Sequence, residues 1–173
     1  MTDQYKNIVM SSIEEIIGKL LQSKGWTLAT AESCTGGFIA HSITNISGSS
    51  SYFKSGFIIY SLESKKRILD LEEKIIENFG VYSPETAIAM ANNVRKIANA
   101  TIGLSTTGIA PPGDNKTKKP IGLAFVGISS SKIQEFRQFD IKCKSREEFK
   151  QKLTKEALEF LESVLMRAVK DNN

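Results

Sequence analysis

Apolar positions recur at helical spacing at both ends of the chain and cluster in short runs between them. Val9, Ile13, Ile16, Ile17, Leu20 and Leu21 form one stripe, with Glu14, Lys19 and Gln22 off it. This predicts an amphipathic helix closed by Gly25. Residues 27–33 then read as a strand, and Thr35 opens a second helix. Residues 45–51 are turn-rich. Phe57, Ile58, Ile59 and Tyr60 predict a short buried strand, after which Ser61 caps a helix starting at Leu62. Ser83, Pro84 and Glu85 mark a helix start, with a serine cap, proline at the first helical position and an acid in the first turn. That helix runs through Ala87, Met90, Ala91, Val94, Ile97 and Ala98, whose small residues imply close packing on a sheet or a partner. Residues 101–107, 121–129 and 133–141 read as three more strands. Phe149, Leu153, Ala157, Leu161, Val164 and Leu165 stripe a long final helix.

Helices alternating with strands predict a mixed α/β fold, and 173 residues suit a single domain. The 40% hydrophobic and 24% charged composition excludes intrinsic disorder. Cys34 and Cys143 are too few for a disulfide framework and too isolated for a zinc site, which fits a reducing, cytoplasmic setting. No apolar run is long enough to span a bilayer, and the acidic start Met1-Thr2-Asp3 is unlike a secretory signal. A formal charge of +4 permits an anionic ligand without implying nucleic acid. Neither the dinucleotide glycine fingerprint nor the P-loop motif is present.

Three stretches carry candidate chemistry. In Ala31-Glu32-Ser33-Cys34-Thr35-Gly36-Gly37 a hydroxyl stands where strand gives way to helix. The first-turn N–H groups there favour negative charge, whether phosphate or an acyl-transfer oxyanion. The same residues read equally as a plain cap before a glycine-rich helix. His41, about two turns into that helix, is poorly placed as a base for Ser33 or Cys34. The second stretch is Tyr60-Ser61-Leu62-Glu63-Ser64-Lys65. A lysine there becomes a base if burial, a helix N-terminus and the neighbouring Lys66 and Arg67 lower its pKa. Taken alone, Lys65-Lys66-Arg67 reads as a solvated basic run. The third is the loop 108–120, entered through Thr106 and Thr107 and rich in glycine and proline. Its lysines 116, 118 and 119 would attract phosphate, or simply keep it solvated.

In order along the chain, Thr30-Ala31-Glu32-Ser33-Cys34-Thr35-Gly36-Gly37, Gly48-Ser49-Ser50, Tyr60-Ser61 with Lys65, Ser83-Pro84-Glu85-Thr86, Thr107-Gly108-Ile109-Ala110 and Lys119-Pro120-Ile121-Gly122 closely resemble the CinA C-terminal-domain family. The resemblance runs from about residue 8 to 167. It implies a three-layer α/β/α sandwich with a mixed central sheet, one domain over residues 1–173, in a stand-alone form that assembles as a homodimer or higher oligomer. It also implies a cytoplasmic nicotinamide-nucleotide amidohydrolase, which deamidates nicotinamide mononucleotide to nicotinate mononucleotide and ammonia without metal or cofactor. By that resemblance Ser33 is the nucleophile, Lys65 its base, and Tyr60 assists. The amides near Cys34 and Thr35 hold the oxyanion, beside Gly36. Glu32 orients Lys65 or the ligand, Thr107 and Gly108 line the nucleotide site, and Arg146 contacts phosphate.

The chain departs from the family pattern where Pro111 and Asp114 replace two glycines, and where Lys144-Ser145 replaces Gly-Asp before Arg146. Proline removes an N–H donor. This motivates an alternative, a catalytically silent module that binds a nucleotide in the same pocket. A nucleic-acid-binding reading has only the basic charge behind it and no recognition motif.

Overall fold

The computed structural model describes residues 11–113 and 117–170, so Val9, Asp114 and Lys116 lie outside it. Its strands are β1 (Leu28–Glu32), β2 (Phe53–Ile58), β3 (Ile102–Gly108), β4 (Leu123–Ser129) and β5 (Gln134–Asp140). They form one sheet in the order β2-β1-β3-β4-β5. β2, β1 and β3 pair in parallel, and the β3–β4 and β4–β5 pairings are antiparallel. Every residue of β1 and β4 is buried, as continuous apolar or small runs covered on both faces should be.

The helices are α1 (Ile13–Ser23), α2 (Phe38–Thr44), α3 (Leu62–Arg67), α4 (Glu73–Phe79), α5 (Pro84–Ile97) and α6 (Arg146–Lys170). Helices α1, α2 and α6 cover one face around Ile17, Leu21, Ile39, Phe149, Leu153 and Leu161. Helix α5 covers the other, where Met90 and Val94 meet Ala29, Ala31 and Leu69. The result is an α/β/α sandwich with a mixed sheet. No described helix is long and apolar enough to cross a membrane.

The predicted signals at Gly25, Ser61 and Ser83 act as expected. Gly25 takes a left-handed φ of +62° after α1. Ser61 and Ser64 form a reciprocal capping box on α3, and Ser83 accepts from the Thr86 amide on α5. Two elements differ from expectation. Helix α2 begins at Phe38 rather than Thr35, because Gly36 and Gly37 adopt φ of +61° and +96° and hold the chain in a turn. The second strand is not the apolar run 57–60. It spans Phe53–Ile58 at the sheet edge, half-buried in strict alternation, and ends before Tyr60.

The small residues of α5 serve contact with the sheet. Gly103 on β3 faces Ala91, and Gly127 on β4 faces Ala87, where any Cβ would overlap a helix carbonyl. The backbone of α5 therefore rests almost directly on the central strands. Replacing Gly103 with alanine is expected to cost at least ~2 kcal/mol through overpacking, read as a lower urea midpoint at unchanged slope. An unchanged midpoint would show that α5 moves freely on the sheet.

Candidate active site

The parallel strands β1 and β3 end side by side, and the loops beyond their carboxyl ends enclose a cavity of about 210 Å³. Ligands in open α/β sheets favour this end. Ser33, Cys34, Tyr60, Gly108, Ala110 and Arg146 line it, as does Tyr82, which the sequence reading did not single out. Five separate segments of the chain thus converge on one hollow.

The central contact joins two residues 32 positions apart. Lys65 Nζ lies 2.9 Å from Ser33 Oγ and donates to the Ile59 carbonyl at 2.9 Å. The capped start of α3 fixes the base of this side chain, which runs inward so that only 1% of the residue is exposed. No carboxylate pairs with Lys65 among the described residues. Burial without a counter-charge pulls its pKa from 10.5 down to about 8. The cause is burial rather than the neighbouring cations, since Lys66 pairs with Glu73 and Arg67 with Glu63. Lys65 is therefore no part of a solvated basic run.

Glu32 takes a different place from the one expected. It does not touch Lys65. Its carboxylate accepts from the amides of Gly37 (2.9 Å), Ile39 (3.1 Å) and Ala40 (2.8 Å). The N–H groups at the start of α2, expected to be free for an anion, are satisfied from within. The next amides along the turn, those of Cys34 and Thr35, have no backbone acceptor among the described residues, and the Cys34 amide lies against its own thiol. They belong to the turn that carries Ser33, in which Cys34 lines the cavity and Thr35 is wholly buried. The Cys34 thiol, buried and held up to about 12 chiefly by that burial, is a poor rival nucleophile.

Tyr60 is 60% exposed, and its hydroxyl accepts from Arg146 Nη1 at 3.0 Å rather than meeting Ser33 or Lys65. Arg146, at the start of α6, also points a second nitrogen at the Ala110 carbonyl at 3.4 Å. It has no acidic partner among the described residues, so its charge faces the cavity mouth. Thr107 does not face the cavity. Its hydroxyl donates to the Val81 carbonyl and so steadies the segment bearing Tyr82, whose own carbonyl accepts from Lys119. Gly36 sits against Lys150, which stacks over Phe38. His41 is exposed on α2 beside Asn45, remote in role from Ser33. Among the described residues no group of three or more His, Cys, Asp or Glu is placed to hold a metal ion.

Comparison with known proteins was consistent. Residues 10–165 match the model of the CinA C-terminal domain. The chain is 49% identical over 118 residues to a protein of Caldanaerobacter subterraneus named as competence-damage inducible, covering 68% of this chain and 29% of that one. It is 43% identical over 118 residues to a CinA-like protein of Koribacter versatilis, covering 28% of its length. The chain thus spans less than a third of these relatives. Among solved structures it resembles the competence/damage inducible protein CihA of Agrobacterium tumefaciens, at 31% identity and a TM-score of 0.80 over 88% of this chain and 94% of that one. A competence or damage-inducible protein of Enterobacter asburiae superposes with a TM-score of 0.83 at 25% identity, covering 90% of this chain and 99% of that one.

The buried amine carries a pH signature. The unfolded chain keeps the Lys65 proton up to about pH 10.4, whereas the native chain releases it near 8. Between these values the unfolded state binds more protons, so native stability climbs with pH, by up to about 1.4 kcal/mol per unit. Below pH 8 both states are charged and the full cost is present. Lys65→Met should remove that climb. Urea unfolding at pH 7, 9 and 10.5 should show the variant's advantage over wild type largest at pH 7 and shrinking upward. A constant difference would contradict the buried, depressed amine. Glu32→Gln should lower stability by about 2 kcal/mol, the scale of a lost charge-assisted bond, in the same assay. No loss would show that the α2 amides find other partners.

Proposed function

This chain belongs to the CinA C-terminal-domain family, and from that premise we propose that it is an amidohydrolase that converts nicotinamide mononucleotide to nicotinate mononucleotide and ammonia. The observation that carries the reading is the buried Lys65 amine, 2.9 Å from Ser33 Oγ and without a carboxylate partner among the described residues. A lysine lowered to about 8 is partly neutral at physiological pH and takes a proton from a hydroxyl at this distance.

In the proposed reaction Ser33 Oγ bonds to the carboxamide carbon as its proton passes to Lys65 Nζ. The carbonyl oxygen becomes an oxyanion, facing the Cys34 and Thr35 amides. Lys65 returns the proton to the amide nitrogen, the C–N bond breaks, and ammonia leaves. Water then attacks the acyl-enzyme, giving its proton to Lys65, and Ser33 recovers it as the carboxylate departs. Arg146 supplies positive charge at the mouth for the phosphate. Tyr60 acts through Arg146, holding that guanidinium across the cavity. No cofactor enters the scheme.

One observation favours the silent binding module instead. Pro111 and Pro112 follow Ala110 in the cavity wall and offer no N–H, while the Gly113 amide is spent on the Ala110 carbonyl. Thermal stabilisation by nicotinamide mononucleotide with no ammonia released would decide for that reading. The amidohydrolase reading predicts ammonia release that rises about tenfold per unit at low pH and levels off above about pH 8, as the neutral Lys65 fraction saturates. Ser33→Ala should retain less than ~1% of it at unchanged thermal midpoint. Undiminished release in that variant would sink the mechanism.

The proposed working form is a homodimer or higher homo-oligomer. Ile58, Tyr60 and Leu62, all exposed along the β2 edge beside the cavity, support it. Light scattering should give at least twice the chain mass, and a monomer mass would contradict it.

A further inference from the structure

We propose that Thr106 is the positioning residue for the Ser33 nucleophile, an inference that rests on the amidohydrolase reading above. Ser33 stands one residue past the end of β1, where the strand ladder no longer holds it. The turn that follows contains two left-handed glycines and two long backbone bonds, from the Gly36 amide to the Ser33 carbonyl at 3.2 Å and from the Phe38 amide to the Thr35 carbonyl at 3.4 Å. Such a segment needs outside anchors to keep one geometry.

Thr106 supplies them. It pairs in register with Glu32 across the parallel strands, so both side chains leave the sheet on the same face, beneath the turn. The Ser33 amide is shared between the Thr106 carbonyl at 3.2 Å and the Thr106 hydroxyl at 3.3 Å. The same hydroxyl lies 2.8 Å from the Thr35 hydroxyl. Thr35 and Thr106 are both wholly buried, so no water competes for these bonds. One side chain therefore grips the turn before and after Cys34. Glu32 fixes the far end by holding the first turn of α2. The neighbours of Thr106 on β3 are spoken for on the other face, Ser105 by the Ala87 carbonyl and Thr107 by that of Val81. Of these three β3 residues, Thr106 is the one that faces the nucleophile turn.

The consequence is geometric. With Ser33 and Thr35 both tied down, Ser33 Oγ is held against Lys65 Nζ and Cys34 is held in the cavity wall. A shift of the turn by about an ångström would spoil both contacts, a scale of misplacement that costs roughly 100-fold in rate.

The test compares wild type, Thr106→Ser and Thr106→Val. Serine keeps the hydroxyl and valine keeps the shape. Expected for Thr106→Val is a kcat for ammonia release from nicotinamide mononucleotide lowered about 100-fold, with KM within about threefold. Thr106→Ser should stay within about threefold of wild type on both constants. Retained kcat in Thr106→Val, or an equal loss in Thr106→Ser, overturns the proposal. If wild type releases no ammonia, the proposed function fails and the positioning role is read on a fluorophosphonate probe. There Ser33 Oγ bonds to phosphorus, the P–F bond breaks, fluoride leaves, and Lys65 takes the hydroxyl proton. Labelling of Ser33 should follow the same order, with the valine variant slowest by far. Equal labelling of all three chains, or no labelling of wild type, overturns it.

Discussion

A lysine amine held out of water, with no negative charge paired to it among the described residues, is the constraint on which the rest of this structure depends. Burying an unpaired ammonium is costly, and proteins usually resolve the cost by pairing or by exposure. Here neither is used. Lys65 instead gives up part of its proton affinity, and the hydroxyl and carbonyl that receive its hydrogen bonds are those of Ser33 and Ile59. The fold bears a destabilised group at the one place where a weakly basic amine has chemical use.

The surroundings of that contact are organised to keep other charges away from it. Glu32 is the nearest acid in the chain to Ser33, and a carboxylate there would restore the lysine to its ordinary range. Its two oxygens are fully occupied by three amides of α2. Lys66 and Arg67 are drawn outward to Glu73 and Glu63. Thr106 then completes the frame by tying the serine turn to the central strand. The same division of labour explains the two tight glycines of the sheet. Gly103 and Gly127 let α5 lie close on one face, while the opposite face at the strand ends is given over to polar anchoring.

Much of the architecture was legible in the sequence because it rests on short-range physics. Capping by Ser61 and Ser83, the left-handed Gly25 and the stripe of α6 are local signals, and each stands where it was expected. The start of α2 was misplaced because glycines tolerate both a helix and a left-handed turn, and only the carboxylate of Glu32 decides where the helix begins. The edge strand was misplaced because the apolar run 57–60 outweighed the quieter alternation of Phe53, Ser55 and Phe57. Within the site, Lys65 looked like one of three solvated cations, and nothing in its neighbours along the chain announces burial. Family resemblance, not spacing, pointed to it. Thr106 was read only as a threonine entering the loop 108–120, and Tyr82 was passed over, because their roles depend on strand register and loop convergence, which a linear reading does not contain.

The central claim is that one lysine of this chain is an unpaired, buried amine poised to act as a base. Its most direct test is an NMR titration of protein labelled at the lysine side-chain nitrogen and ε-carbon, with Lys65→Met used to assign the signal. The account predicts one lysine signal that titrates near 8, well below the free-lysine value of ~10.4, and is missing from the variant. A Lys65 signal that titrates with the others would contradict it, because an amine charged throughout that range cannot take the Ser33 proton.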